Sequence, residues 1–166
     1  MKKSLELKLK KIKLVITDVD GVLTDGGMYY TKEGDVMKRF HARDGMGVTL
    51  LRNVNISTII VTKEKTEMVK QWSKKMKIKE LLDGVKNKEL TLCSICKKNN
   101  VDLKEIAYIG DDVNDAEILK RVGLAITPKD GEDSIKKISH YICSYVGGHG
   151  AFRELADLIL QVQNKN

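Results

Sequence analysis

The 166-residue chain is 42% hydrophobic, contains one proline and carries a formal charge of +7, from 30 Lys+Arg against 23 Asp+Glu. That balance predicts one compact α/β domain with a sizeable core and excludes a disordered chain. No apolar run approaches the roughly 20 residues a membrane helix needs. Aromatics at 5% with no reader motif exclude a nucleic-acid protein, leaving the lysines as a solvated surface that draws anions.

Residues 1–12 form a lysine-rich lead without the apolar core of a secretory signal, so a cytoplasmic location is expected. Lys13–Thr17 then reads as a buried strand, a near-continuous apolar run. Two β-prone runs, residues 26–30 and 36–40, flank the Gly-containing stretch 31–35 and predict a hairpin rising from that strand as a flap. Asp44 is the expected N-cap of a helix over Met46–Arg52. Ile56–Val61 predicts the second sheet strand, Glu64–Met76 an amphipathic helix and Leu81-Leu82 a short third strand. A helix over Asn87–Lys98 leads to a fourth strand, Ile106–Ile109. Helix Asp115–Arg121, strand Gly123–Ile126, helical Ile135–Ile138, strand Tyr141–Cys143 and helix Phe152–Val162 complete the chain.

Strands alternating with helices predict a doubly wound, mostly parallel sheet, with no insertion long enough to be a cap domain. In such folds ligands sit beyond the carboxyl ends of the strands. The polar residues fall there: Asp18 and Asp20 after the first strand, Thr62 after the second, Asp111 and Asp112 after the fourth. Carboxylates crowded at a strand end repel one another and are kept charged by a divalent cation among them. The cysteines do not compete for that role. Cys93 and Cys96 form a C-x-x-C in mid-helix with no second pair, and three thiols in all exclude a disulfide framework.

This set of groups suits phosphoryl transfer. Asp18 is the candidate nucleophile, Asp20 the proton carrier, and Thr62 and Lys88 donors to the phosphoryl oxygens. Asp18, Asp111 and the carbonyl of Asp20 are candidate ligands of Mg²⁺. Thr62 also suits a helix cap, and Asp112 and Asp115 are expected to act as caps before Ala116–Lys120 and also to hold Lys88 or the metal ligands.

Asp18-Val19-Asp20-Gly21-Val22-Leu23-Thr24-Asp25-Gly26, Thr62, Lys88 and Gly110–Asp115 resemble, in order, the four motifs of the haloacid dehalogenase superfamily. The chain is most similar to a small capless branch that dephosphorylates sialic-acid-like keto-sugar phosphates, octulosonate 8-phosphate or nononate 9-phosphate. Phe40–Gly47, Tyr108–Asp112 and Gly147–Glu154 resemble segments of that branch. The resemblance implies an aspartyl-phosphate intermediate, Mg²⁺ as cofactor, a small sugar-acid phosphate as the partner molecule, and homotetramers in which neighbours cover each site. It also implies that Asp20, His41, Arg43, Asp44, Gly45, Glu64 and Lys88 contact substrate. Glu64 leans towards a nine-carbon acid, whereas Lys63 and Trp72 depart from the branch pattern. The competing readings are a receiver-like phosphoacceptor, whose acceptor would close a later strand, and a non-catalytic oligomerisation module.

Overall fold

In a computed structural model, which describes residues 2–163, six parallel strands form one sheet ordered β5-β4-β1-β6-β7-β8. These are β1 (Leu14–Thr17), β4 (Ser57–Val61), β5 (Glu80–Leu82), β6 (Ile106–Ile109), β7 (Leu124–Thr127) and β8 (Tyr141–Ile142). The two-residue side-chain alternation splits the core between the faces. Val15, Ile60, Ala107, Ile109, Leu124 and Ile126 join one apolar cluster. Leu14, Ile16, Ile59, Val61, Ile106, Tyr108 and Ala125 join the other. A strand apolar on both faces must be covered on both, which is why the runs lack a polar period.

Four helices cover the first face: α1 (Lys3–Leu9), α2 (Ala42–Asn53), α3 (Glu67–Met76) and α7 (Ala151–Val162). The second face is covered by α4 (Leu92–Asn99), α5 (Ala116–Leu119) and α6 (Asp133–Ile138). In α7, Ala151, Phe152, Leu155, Ala156, Ile159 and Leu160 are buried, a stripe with helical spacing. Truncating Phe152 in that stripe would cost about 3–5 kcal/mol. Gly47 lets α2 approach α7 closely, because a Cβ there would press on the Arg153 backbone, Ala156 and Phe152.

Within the lysine-rich lead Leu9 and Ile12 are buried, and Gln163 Nε2 donates to both of their carbonyls at 2.9 Å. Two expectations are corrected. Helix α2 starts four residues earlier than expected, with His41 as its N-cap. Asp44 therefore sits inside the first turn, and its buried carboxylate accepts from Gly150 N at 3.2 Å and Arg153 N at 2.9 Å. It caps α7, a helix more than a hundred residues away. Finally, Thr66 rather than Thr62 caps α3, accepting from Val69 N at 3.3 Å.

The hairpin forms as expected, from β2 (Tyr29–Thr31) and β3 (Gly34–Met37), antiparallel and outside the main sheet. Its base is fixed by a Thr24–Phe40 bridge and by Phe40 stacking on Trp72, ring centroids 4.8 Å apart and 11° from parallel.

Candidate active site

The chain runs from β1 through β4 to β5 on one side, then crosses to β6, β7 and β8 on the other. The order reverses next to β1, and a crevice opens there beyond the carboxyl ends. A cavity of about 270 Å³ occupies it, lined by Asp18, Asp20, Gly21, Gly26, Met28, Thr62, Lys63, Glu64, Asp111, Asp112 and Asn114. A larger depression of about 750 Å³ lies at the opposite, amino-terminal end of β1 and β4. Its only acid, Glu105, is ion-paired to Lys13, so it holds no comparable chemistry.

Each acid is placed by backbone geometry. Asp18 N donates to Ile109 O at 3.1 Å, extending the β1–β6 ladder by one residue, and Val19 N donates to Asp18 Oδ1 at 2.7 Å. The chain then turns sharply, with the amides of Val22, Leu23 and Thr24 all donating to Val19 O. Gly21 occupies the left-handed region at φ 81° within that turn, and a Cβ there would collide with the Asp111 carboxylate. The glycine is therefore what lets the acids from β1 and β6 share one cavity.

Lys88 is fully buried, and its ammonium lies 2.6 Å from Asp18 Oδ2 and 2.6 Å from Asp115 Oδ1. Burial alone would depress its pKa, but the Asp18 and Asp115 carboxylates outweigh burial and raise it, keeping it charged. Asp115 is saturated: Oδ1 also accepts from Tyr108 OH at 2.6 Å, and Oδ2 accepts from Asp111 N at 3.0 Å and Asp112 N at 3.5 Å. It therefore supports Lys88 and the β6 loop. Asp112 is exposed and accepts from Val113 N at 2.7 Å, so its carboxylate caps the short turn that follows.

One oxygen of Asp18, one of Asp111 and one of Asp115 lie within 4.8 Å of one another. Burial, then Asp115, push Asp18 up to about 7; burial, then Asp18, push Asp111 up to about 8. Asp111 Oδ1 is buried and lacks a hydrogen-bond partner among the described residues. An unpartnered buried carboxylate oxygen facing a second carboxylate is what a hard cation would satisfy. Because Asp115 is already saturated, the residues that fit a divalent ion are Asp18 and Asp111.

Of the expected substrate contacts, Asp20 and Glu64 line the cavity, and Lys88 reaches its floor through Asp18. The others are elsewhere. His41 and Gly45 line a separate cavity with Phe40, Trp72 and Met76, and Arg43 lines another with Tyr145, His149 and Arg153. Asp44 is consumed by α7, as described above. Within one chain, these four residues do not meet the acids.

Lys38, at the end of the hairpin, is a residue that sequence reasoning missed. Its side chain is 1% exposed, and its ammonium contacts Asp20 Oδ1 at 2.7 Å and Asp35 at 3.5 Å. Burial works against its charge, but the two carboxylates prevail and raise its pKa. Nothing in the sequence separates it from the surrounding surface lysines. Tyr108 was missed as a supporting residue because it is one of several apolar-looking positions in β6.

A family model described as haloacid dehalogenase-like hydrolase matches residues 51–155. The 3-deoxy-D-manno-octulosonate 8-phosphate phosphatase of Haemophilus influenzae is 36% identical over 98% of this chain and 90% of its own. The Escherichia coli K12 protein of the same name is 34% identical, over 95% of this chain and 84% of its own. The solved structure of the Moraxella catarrhalis enzyme of that name, in complex with magnesium, phosphate and KDO, superposes with a TM-score of 0.95 at 35% identity. That match covers 99% of this chain and 94% of the other. A cobalt-bound form of the Haemophilus influenzae enzyme gives 0.93 at 37% identity, covering 95% and 92%.

Proposed function

The chain belongs to the haloacid dehalogenase-like hydrolases, and on that premise we propose that it is a Mg²⁺-dependent phosphatase of 3-deoxy-D-manno-octulosonate 8-phosphate, working through Asp18. The observation that carries the reading is the cavity floor. There the buried Asp18 meets a charged Lys88 at 2.6 Å, beside an Asp111 Oδ1 that has no hydrogen-bond partner among the described residues. A surface acid pair would have no reason to hold a lysine out of water between two carboxylates, since desolvating those charges is costly.

In this reading an Asp18 oxygen attacks phosphorus and the bond to the sugar oxygen breaks, leaving a phosphoryl group on Asp18. Asp20 gives its proton to the departing oxygen. It then takes a proton from the water that attacks the phosphoryl group, releasing inorganic phosphate and restoring Asp18. Two of the three Lys88 donors are held by Asp18 and Asp115, so one remains for a phosphoryl oxygen, and Thr62 offers a hydroxyl. Asp18, Asp111 and the carbonyl of Asp20 would hold the Mg²⁺, which when bound neutralises phosphoryl charge and keeps the carboxylates ionised. The relatives named above support an eight-carbon acid over the nine-carbon one towards which Glu64 leans.

The substrate class is tested by a phosphate-release screen over eight- and nine-carbon keto-acid phosphates beside hexose phosphates, with Mg²⁺. Octulosonate 8-phosphate is expected to give the highest kcat/KM; preference for hexose phosphates would overturn the sugar-acid assignment. The nine-carbon reading keeps one observation in its favour, the Glu64 side chain at the cavity wall. The assembly we propose is a homotetramer, supported by the exposed Met28, Tyr29, Tyr30, Val36 and Met37 of the hairpin. Light scattering on the full chain checks it. No described helix is long and apolar enough to cross a membrane.

A further inference from the structure

Lys38 and Arg39 are consecutive residues that anchor in opposite directions. The Arg39 guanidinium donates to Asp25 Oδ2 at 3.1 Å and to the Gly148 carbonyl at 3.4 Å, and lies 3.3 Å from His149 Nε2. Next to it, Phe40 bridges to Thr24 and stacks on Trp72. The backbone at residues 38–40 is thus tied to the β1 loop, the C-terminal loop and α3, so the Lys38 ammonium arrives at a fixed place. There it meets Asp20 Oδ1 at 2.7 Å, while Asp35 of the same hairpin holds it from behind at 3.5 Å. The Thr24 hydroxyl also donates to Asp20 Oδ1, at 3.3 Å. Among the described residues both donors to the Asp20 carboxylate fall on Oδ1, leaving Oδ2 for the cavity.

We propose that Lys38 is a positioning residue that locks the Asp20 carboxyl group through Oδ1, so that Oδ2, which carries the transferred proton, faces the leaving-group oxygen and the hairpin is tied to the proton-transfer step. The inference rests on the reading of Asp20 as proton carrier. An exposed lysine would not serve, because its flexible stem gives a surface ion pair little geometric value. Here the lysine side chain is 1% exposed, whereas that of Asp20 is 29% exposed: the anchor is buried and the working carboxylate is open to the cavity. Positioning of this kind affects a reaction in proportion to how much the step needs the positioned group.

The test compares full-length wild type, Lys38→Met, Lys38→Arg and Asp35→Asn with Mg²⁺ on two esters. Octulosonate 8-phosphate has an alkoxide leaving group that needs a proton; p-nitrophenyl phosphate has one that departs without it. Lys38→Met is expected to lower kcat/KM for the sugar ester about 10–100-fold, and for the aryl ester at least tenfold less. Lys38→Arg should recover most of the loss, and Asp35→Asn should show a weaker version of the same split. Equal losses on both esters, or no loss on the sugar ester, would overturn the proposal. Should Lys38→Met fail to fold, Asp35→Asn carries the same comparison. Asp20→Asn run in parallel separates the two claims. If it shows the split and the Lys38 and Asp35 variants do not, only the positioning role falls; if Asp20→Asn shows no split, the proton-carrier reading falls.

Discussion

Lys88 Nζ lies 2.6 Å from Asp18 Oδ2, with the lysine completely buried and the aspartate 5% exposed. The pair joins a residue before α4 to the end of β1, and it needs Asp115 on its far side, since one carboxylate alone would leave the ammonium under-satisfied. Replacing Asp115 with Ala strips partners from Lys88, Tyr108 and the amides of Asp111 and Asp112 together. The expected cost is about 3–5 kcal/mol, read by denaturant unfolding. A loss under about 1 kcal/mol would show that Asp115 is not the support described.

Asp18→Asn is expected to lower kcat at least about a thousandfold, because an amide oxygen is a poor nucleophile and a weaker metal ligand. Lys88 and Val19 N contact different oxygens of Asp18, and asparagine keeps an acceptor for only one of them, so a modest loss of stability is expected while the fold survives. Steady-state phosphate release checks the loss and circular dichroism checks the fold; retained turnover would remove Asp18 from the nucleophile role.

Metal and pH should be linked with a definite sign. Asp18, up to about 7, and Asp111, up to about 8, both lie well above 3.8, mainly through burial and then through neighbouring carboxylates. Between about pH 4 and pH 8 the metal-free folded protein therefore binds more protons than the unfolded chain, and stability falls as pH rises. With saturating Mg²⁺ the ligands are ionised in the folded state, as they are in the unfolded chain above about pH 5, so this slope is lost. Melting curves at about pH 5 and pH 8, in chelator and in Mg²⁺, should diverge; parallel slopes would mean these two acids do not hold the ion.

Gly21→Ala places a methyl group against Asp111 at a φ of 81°, which is strained for alanine. About 1–3 kcal/mol of strain is expected, with the Asp111 carboxylate displaced. The Mg²⁺ activation constant should rise roughly tenfold, whereas the far face of the sheet is untouched. An unchanged constant would show that the close approach of Gly21 to Asp111 is not needed for metal binding.

Asp44→Ala separates structure from substrate contact at a position where resemblance implied the latter. Its carboxylate accepts from the first amides of α7, and burial, opposed by those same bonds, raises its pKa. Truncation should cost about 1–3 kcal/mol in thermal unfolding, with KM changed less than about twofold. A large KM rise with no stability loss would return Asp44 to the substrate.

What the chain alone determined is the edge of the sheet that carries the candidate site. Leu14–Thr17, Ile56–Val61 and Ile106–Ile109 are short apolar runs that only a doubly covered parallel sheet can bury. The acids and hydroxyl that follow each run are thereby carried to one end of it. Strand period and motif order are local properties, so Asp18, Asp20, Thr62 and Asp111 were legible. Tertiary structure decided the partners. Asp44 has the residue type of a local cap, but α2 begins at Ala42, ahead of it; its carboxylate instead closes α7, across a contact that only α2–α7 packing creates. The lead became α1 because Leu9 and Ile12 found a place in the core, which its many lysines concealed. Lys38 was invisible because a lysine that reaches Asp20 is chemically identical to those that face water. What sets it apart is the position of the hairpin base, fixed by Arg39, Phe40, Thr24 and Trp72, and no spacing along the chain encodes that position.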